Sequence, residues 1–378
     1  MKNCVQYGIL GLLLAVAMSC GAVGAVVGFD GSTSTDFLDG SNWDDGNVPT
    51  VGNQYVIANG LTSTYSTAVE TTVSSLIVGG DYPQMAGNFG TPGTLNMSAG
   101  KLIVAGGGNA FQIARACCDG TGIVNLTGDA VLEVQGSDPV IGARDVGELH
   151  VGPNASVIST RPGGAYWRVG NYGPAIDDGL EGNGLLDVQG SFSAHVIFLG
   201  DSDSTGELRI SGNGSVALTD NLVPNVATNQ PNRSALVHMI GSNASLTALN
   251  LESFNGASQV HNKYLFTADA GGVSKITLTN AVNVGNNDLS VDLSAYSLAA
   301  GSSLLLFDAA PGQIYGDNGT YFSNVNVTGG APSAVYYVSY DFANGNISLN
   351  RTVPEPASLA LVALGLAAVA GVRRRAAL

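Results

Sequence analysis

Cations are what this chain has least of. Lys and Arg total 14 against 29 Asp and Glu in 378 residues, a formal net charge of −15. A surface so poor in positive charge cannot neutralise a phosphate backbone, which excludes nucleic acid as a partner and disfavours docking on anionic lipid. Histidine is equally thin. His150, His195, His238 and His261 are dispersed, none stands in a Ser or Cys nucleophile pattern, and no HExxH or GxSxG occurs. Of four cysteines, Cys4 and Cys20 fall in an apolar leader, which leaves the adjacent pair Cys117–Cys118. That pair lacks the CxxC spacing of zinc and redox motifs, and neighbours rarely reach the geometry a disulfide needs. It reads as a turn, with a bridge between exported copies as the sharper alternative. Gly-rich runs such as "AGGGN" precede neither a helix nor a Lys, so phosphate cradling is rejected. The sequence calls for no cofactor.

Between the termini there is also no long apolar run and no 3.6-residue periodicity. What is there instead is glycine, 52 residues of it, punctuating short segments of alternating polarity. That pattern reads as all-β. Six imperfect copies of one unit occupy the centre: "GTLNMSAGKLIV" from Gly93, "GIVNLTGDAVLEV" from Gly122, "GELHVGPNASVI" from Gly147, "GLLDVQGSFSAHV" from Gly184, "GELRISGNGSVAL" from Gly206 and "ALVHMIGSNASLTAL" from Ala235. Their starts are 29, 25, 37, 22 and 29 residues apart. Each runs strand, Gly/Asn/Ser turn, strand, and several end on an apolar–Gly or apolar–Ala step. One such unit cannot bury its apolar face alone, so it must stack on the next. The expectation is a right-handed parallel β-helix, a β-solenoid, with Leu95/Met97, Val124/Leu126, Leu149/Val151, Leu186/Val188 and Leu208/Ile210 as inward ladders. Asn96, Asn125, His150, Asp187 and Arg209 then face outward. The alternative is a sandwich of antiparallel hairpins.

The chain divides accordingly. Residues 1–25 read as a signal peptide, with a cut after Ala25 and no Leu, Val or Ile three places before Cys20 to favour a lipoprotein. Residues 26–92 form an N-terminal cap and first coils, 93–250 the repeats, and 251–352 a C-terminal β cap or small β-sandwich. Residues 353–378 are a tail. In the cap, Trp43 among Asp39, Asp44 and Asp45 is read as covering the open end of the core, with sugar or Ca²⁺ binding as the alternative. The segment "NWDDGNVPTVG" resembles the opening of secreted bacterial β-helical proteins.

β-Helices include polysaccharide lyases and hydrolases, whose chemistry needs paired carboxylates. The long insert 161–184 brings Trp167, Arg168, Tyr172, Asp177, Asp178 and Glu181 together, a candidate glycan-contacting groove. Asp201 and Asp203, with Glu207, open like a Ca²⁺ loop but lack the twelfth-position carboxylate, since Gly212 stands there. No catalytic residue is assigned, and the expectation is a non-enzyme.

The tail reads "VPEPASLALVALGLAAVAGVRRRAAL". Its apolar run from Ala357 to Val372 is short for a comfortable span, and the arginines behind it would stay cytoplasmic. A permanent membrane anchor is one reading. The other is a resemblance: motif, apolar helix and basic cluster, in that order, closely resemble the PEP-CTERM sorting signal of β-helical, autotransporter-like repeat proteins. On that resemblance Pro354, Glu355 and Pro356 match the recognition motif, and Arg373, Arg374 and Arg375 the basic stop. It implies processing by an exosortase after transient membrane insertion of the tail helix. It also implies delivery to the cell surface or an extracellular polysaccharide matrix, where a structural or adhesive role is expected.

Overall fold

The computed structural model describes residues 24–80, 91–115, 120–143, 145–171, 182–201, 204–224, 234–252, 262–316 and 319–353. Their strands form three long sheets of eleven, ten and eleven strands. From Gln54–Ile57 to the final hairpin the chain visits the sheets in rotation, so each strand pairs with the one three places on, whereas Val26–Gly28 pairs directly with Gln54–Ile57. The first sheet runs from Val26–Gly28 to Ile314–Tyr315, the second from Leu61–Tyr65 to Phe322–Thr328. The third starts at Glu70–Val73 and ends on the hairpin Tyr336–Asp341 and Asn346–Arg351. Apart from that hairpin, the ladders are parallel, which makes a β-solenoid and excludes the hairpin sandwich.

The register explains the repeats. Gly93, Gly122, Gly147, Gly184, Gly206 and Ala235 stand opposite one another on successive coils. These glycines are selected by proximity. A Cβ on Gly122 would lie 2.1 Å from the Val78 carbonyl oxygen, and one on Gly147 would lie 2.1 Å from the Gly142 nitrogen. The preceding apolar–Gly step makes that corner: Gly79, Gly142, Gly170 and Gly200 all take φ of 64–70°, the left-handed region that glycine enters freely. Ala114 holds the same corner at φ 57°.

Inside the three sheets lies one continuous apolar column. Leu95, Met97, Val124, Leu126, Leu149, Val151, Leu186, Val188, Leu208 and Ile210 are all buried in it, as the period-2 pattern requires. Each is roofed by the same position of the next coil, about 4.8 Å away.

The solenoid continues past the point where the sequence pattern loosens. Lys263–Thr267, Asn287–Asp292 and Phe322–Thr328 extend the second sheet in parallel register. The corner is then filled by buried Asn262 and Asn287 in place of glycine, which hides the repeat from inspection. The C-terminal β cap is therefore small, a single antiparallel hairpin whose Tyr336, Val338 and Tyr340 pack on the end of the core. At the other end Trp43 is 2% exposed. Its ring meets Phe29, Phe37 and Tyr55 edge-on at centroid distances of 5.1, 5.2 and 5.0 Å, and its Nε1–H donates to the Phe37 carbonyl at 2.9 Å.

Candidate functional site

The acidic residues around Trp43 are spent on the backbone. Asp44 Oδ2 accepts from the Gly28 N–H at 3.1 Å, Asp45 Oδ1 from Asn47 at 3.0 Å, and Asp39 Oδ1 from the Ser41 N–H and hydroxyl at 3.0 and 2.6 Å. The Ser41 bonds hold the Asp39 carboxyl below its usual range. Trp43, enclosed by aromatics, offers no face to a ligand and seals the end of the column.

The insert groove needs a correction. Trp167 is fully buried and cannot touch a glycan. It packs edge-on against Phe192 at 4.9 Å and Phe111 at 6.1 Å, and its Nε1–H donates to Ser159 Oγ at 2.6 Å. Strand alternation is the cause. Val169, two residues on, is an inward ladder residue, so Trp167 must point inward too. Tyr172, Asp177, Asp178 and Glu181 lie outside the described residues, as does Asp203; the Asp201 backbone pairs with Asn171 at the end of its strand.

The same alternation turns Tyr166 and Arg168 outward. Tyr166 is 38% exposed and stacks on Phe198 of the next coil, 5.9 Å between centroids at an interplanar angle of 23°. His195 lies 6.0 Å from the Tyr166 ring; its Nδ1 contacts Thr219 Oγ1 at 2.8 Å and its Nε2 lies 3.5 Å from Asp220. On the other flank Arg161 donates to Asp138, whose Oδ1 also accepts from the Tyr166 N–H at 3.0 Å. The result is an aromatic shelf between two polar rims on the outside of the first sheet. The signal that locates it in the sequence is parity, counted back from the "VG" step of "YWRVGN".

A second polar strip crosses the second sheet, where Asn96, Asn125, His150, Asp187, Arg209 and His238 occupy one column. Asn125 Nδ2 donates to Asn96 Oδ1 at 2.9 Å. His150 bridges coils, with Nδ1 3.4 Å from Asp187 and Nε2 2.8 Å from Glu148. Those carboxylates, Asp187 foremost, push its pKa up against the effect of partial burial. Arg209 donates to Glu207 Oε1 from Nε at 3.0 Å and from Nη2 at 2.7 Å. His238 is half-buried, which lowers its pKa. Glu148 and Glu207 stand in the neighbouring column, two coils apart with Leu185 between them. They flank an open groove of about 410 Å³. Among the described residues no three His, Cys, Asp or Glu side chains converge on a metal position.

On the third sheet Lys101 ties coils together, with Nζ 2.7 Å from Glu133 and 3.5 Å from Glu70. Thr160 and Gln135 each donate to Glu133 Oε1 at 2.8 Å. The Lys101 bond is the main reason the Glu133 pKa falls below the usual carboxylate range.

The model of a family described as the PEP-CTERM protein-sorting motif matches residues 352–375. No curated protein and no solved structure matches the chain. Pro354, Glu355, Pro356 and Arg373 to Arg375 fall within the matched stretch, outside the described residues. The chain is thus a PEP-CTERM domain-containing protein with a β-solenoid body, exported and sorted through exosortase to the cell surface or extracellular space.

Proposed function

We propose that this exosortase-sorted solenoid is a non-catalytic structural and adhesive rod of the cell envelope or exopolysaccharide matrix. The observation that carries the reading is the outward shelf of Tyr166 on Phe198, framed by Arg161–Asp138 and His195–Asp220. A stacked aromatic face offers apolar contact to the C–H face of a sugar ring, and flanking polar pairs bond its hydroxyls. Each contact is weak. The polar columns repeat along a rigid body, so a long polysaccharide can engage several positions and affinity accumulates by multivalency. Carboxylates on these faces are tied to Lys, Arg or His partners, as in Glu133–Lys101, Glu207–Arg209 and Glu148–His150. That arrangement suits a scaffold.

The test is to incubate the exported protein with extracellular and cell-wall polysaccharides, scoring both co-sedimentation and chain length of the polymer. Retention without cleavage, reduced in Tyr166→Ala, is expected. A second reading, a polysaccharide-active enzyme, draws on Glu148 and Glu207 flanking one groove. Shortened polymer that disappears in Glu148→Gln or Glu207→Gln would establish it and overturn the non-catalytic reading. Deleting residues 353–378 checks sorting separately, with loss of surface retention as the expected result.

A further inference from the structure

The two ends of the solenoid are finished differently. At the N-terminal end the second sheet is covered: Phe37 donates to the Thr64 carbonyl at 2.8 Å, and Thr64 donates to the Thr35 carbonyl at 2.6 Å. The first sheet is closed likewise, by the Phe29–Trp43 bridge and the Asp44 N–H on the Gly28 carbonyl at 3.0 Å. The first strand of the third sheet bears charge on its edge, Glu70, paired with Lys101. At the C-terminal end the hairpin covers the apolar core, with Tyr340 stacked on Tyr321 at 4.5 Å. It joins the third sheet and leaves the last strand of the second, Phe322–Thr328, as an outer edge among the described residues.

Among the described residues a β-bulge at Phe322 and Ser323 is the one device on this edge of the kind that keeps strand edges apart. The strand is seven residues long, "FSNVNVT", with no Pro and no charge. Asn318 to Tyr340 contains no Asp, Glu, Lys, Arg or His at all. Leu293 donates to the Thr328 carbonyl at 2.8 Å. By strand alternation over the regular stretch Asn324 to Thr328, Thr328, Asn326 and Asn324 therefore turn their backbone groups inward and Val327 and Val325 turn theirs to the open side, with Ser323 in the bulge. The large apolar side chains exposed nearby are Val325 at 45%, Val335 at 62%, Tyr337 at 51% and Phe342 at 43%.

We propose that this end docks a second copy of the same chain, strand Phe322–Thr328 against its own copy, antiparallel about a two-fold axis at Val325. The strand is self-complementary in that register: Val325 faces itself and exchanges about two backbone hydrogen bonds across the axis, Asn324 faces Asn326, and Val327 meets the bulged Ser323. Charge selects the surface. Two copies each carrying −15 repel, and this strand brings no charge of its own to the contact, while the neighbouring Asp288 is held by Asn324 Nδ2 at 2.7 Å. The covered N-terminal end selects the symmetry: a head-to-tail contact needs two complementary ends, whereas a two-fold contact uses one end twice and stops at a dimer.

Sedimentation of the full chain in detergent micelles tests this, together with three variants. The wild type is expected as a dimer, as are Val325→Thr, which keeps a neutral β-former, and Asn154→Lys, which makes the same charge change in a side turn far from the edge. Val325→Lys, whose exposed position leaves the fold intact by circular dichroism, is expected as a monomer. In a chain with its native cysteines replaced by Ser, a short bis-maleimide should join Val325→Cys into a covalent dimer and leave Asn154→Cys unjoined. A monomeric wild type, an open-ended polymer, or a dimer that survives Val325→Lys (the result expected of association through the apolar tail) would each overturn the proposal.

Discussion

Tyr166 stacks on Phe198 one coil away, 23° from parallel, on the outside of a sheet whose inside is filled by the neighbouring Trp167. Adjacent residues thus serve opposite ends, one presenting a surface and the other holding the coils together.

Substitution separates them. Trp167→Ala leaves a void between Phe111 and Phe192 and is expected to cost about 3–5 kcal/mol of stability, read by chemical denaturation. Tyr166→Ala is expected to change stability little and to lower polysaccharide retention instead. Equal destabilisation by both would remove the distinction.

The corner glycines give a steric prediction. Gly147→Ala places a Cβ against the Gly142 backbone, where nothing can rotate away, so the coil must shift and stability should fall by more than the ~1 kcal/mol that ordinary surface changes stay below. Ala235→Gly at the equivalent corner restores the commoner residue and is expected to cost under about 1 kcal/mol. Thermal melts of the pair check this.

Two histidines on one face titrate against each other. The His150 pKa is raised in the folded state, so its stabilising contribution is complete below its unfolded value, near 6.5, and is lost as pH rises through the folded value. The His238 pKa is lowered, so its contribution is present above that unfolded value and is lost as pH falls through the folded one. Lowering pH from 8 to about 5 should therefore stabilise a His238→Gln variant and destabilise a His150→Gln variant, each relative to wild type. Denaturation midpoints across that range that move together would contradict the assignment.

Glu133 supplies the acid-side effect. Its pKa is lowered by Lys101, so the stability it contributes is present above the unfolded carboxylate value and disappears as pH falls through the folded one. Lys101→Met should flatten that acid limb and destabilise the protein at neutral pH, since Glu133 keeps only its bonds from Thr160 and Gln135. An unchanged acid limb in the variant would refute the pairing.

How much of this was visible in the sequence follows from what repeats. Gly, strand, turn, strand recurs at 93, 122, 147, 184, 206 and 235, and those positions do align in space. The coils after residue 262 escaped because buried Asn262 and Asn287 fill the corner glycine's place, which removes the repeat's most visible marker. Nearness to carboxylates in the sequence sets Trp167 on a surface, whereas parity counted from Val169 places it inside, where it is buried. Tyr166 and Phe198 are 32 residues apart in sequence and become neighbours only through the coil register, which variable insert lengths conceal.

Stacked coils also give the molecule a mechanical direction. Each coil touches only the coils beside it, and the hairpin end is where the body continues into the sorting segment at Val353. A load applied through that end meets the last coil first, with the Trp43 plug at the far end still sealing the rest. Coils should then leave one at a time. Each would release a length set by its own repeat, roughly 85 Å for 25 residues, so a pulled molecule would yield in steps and lengthen greatly before its core is lost.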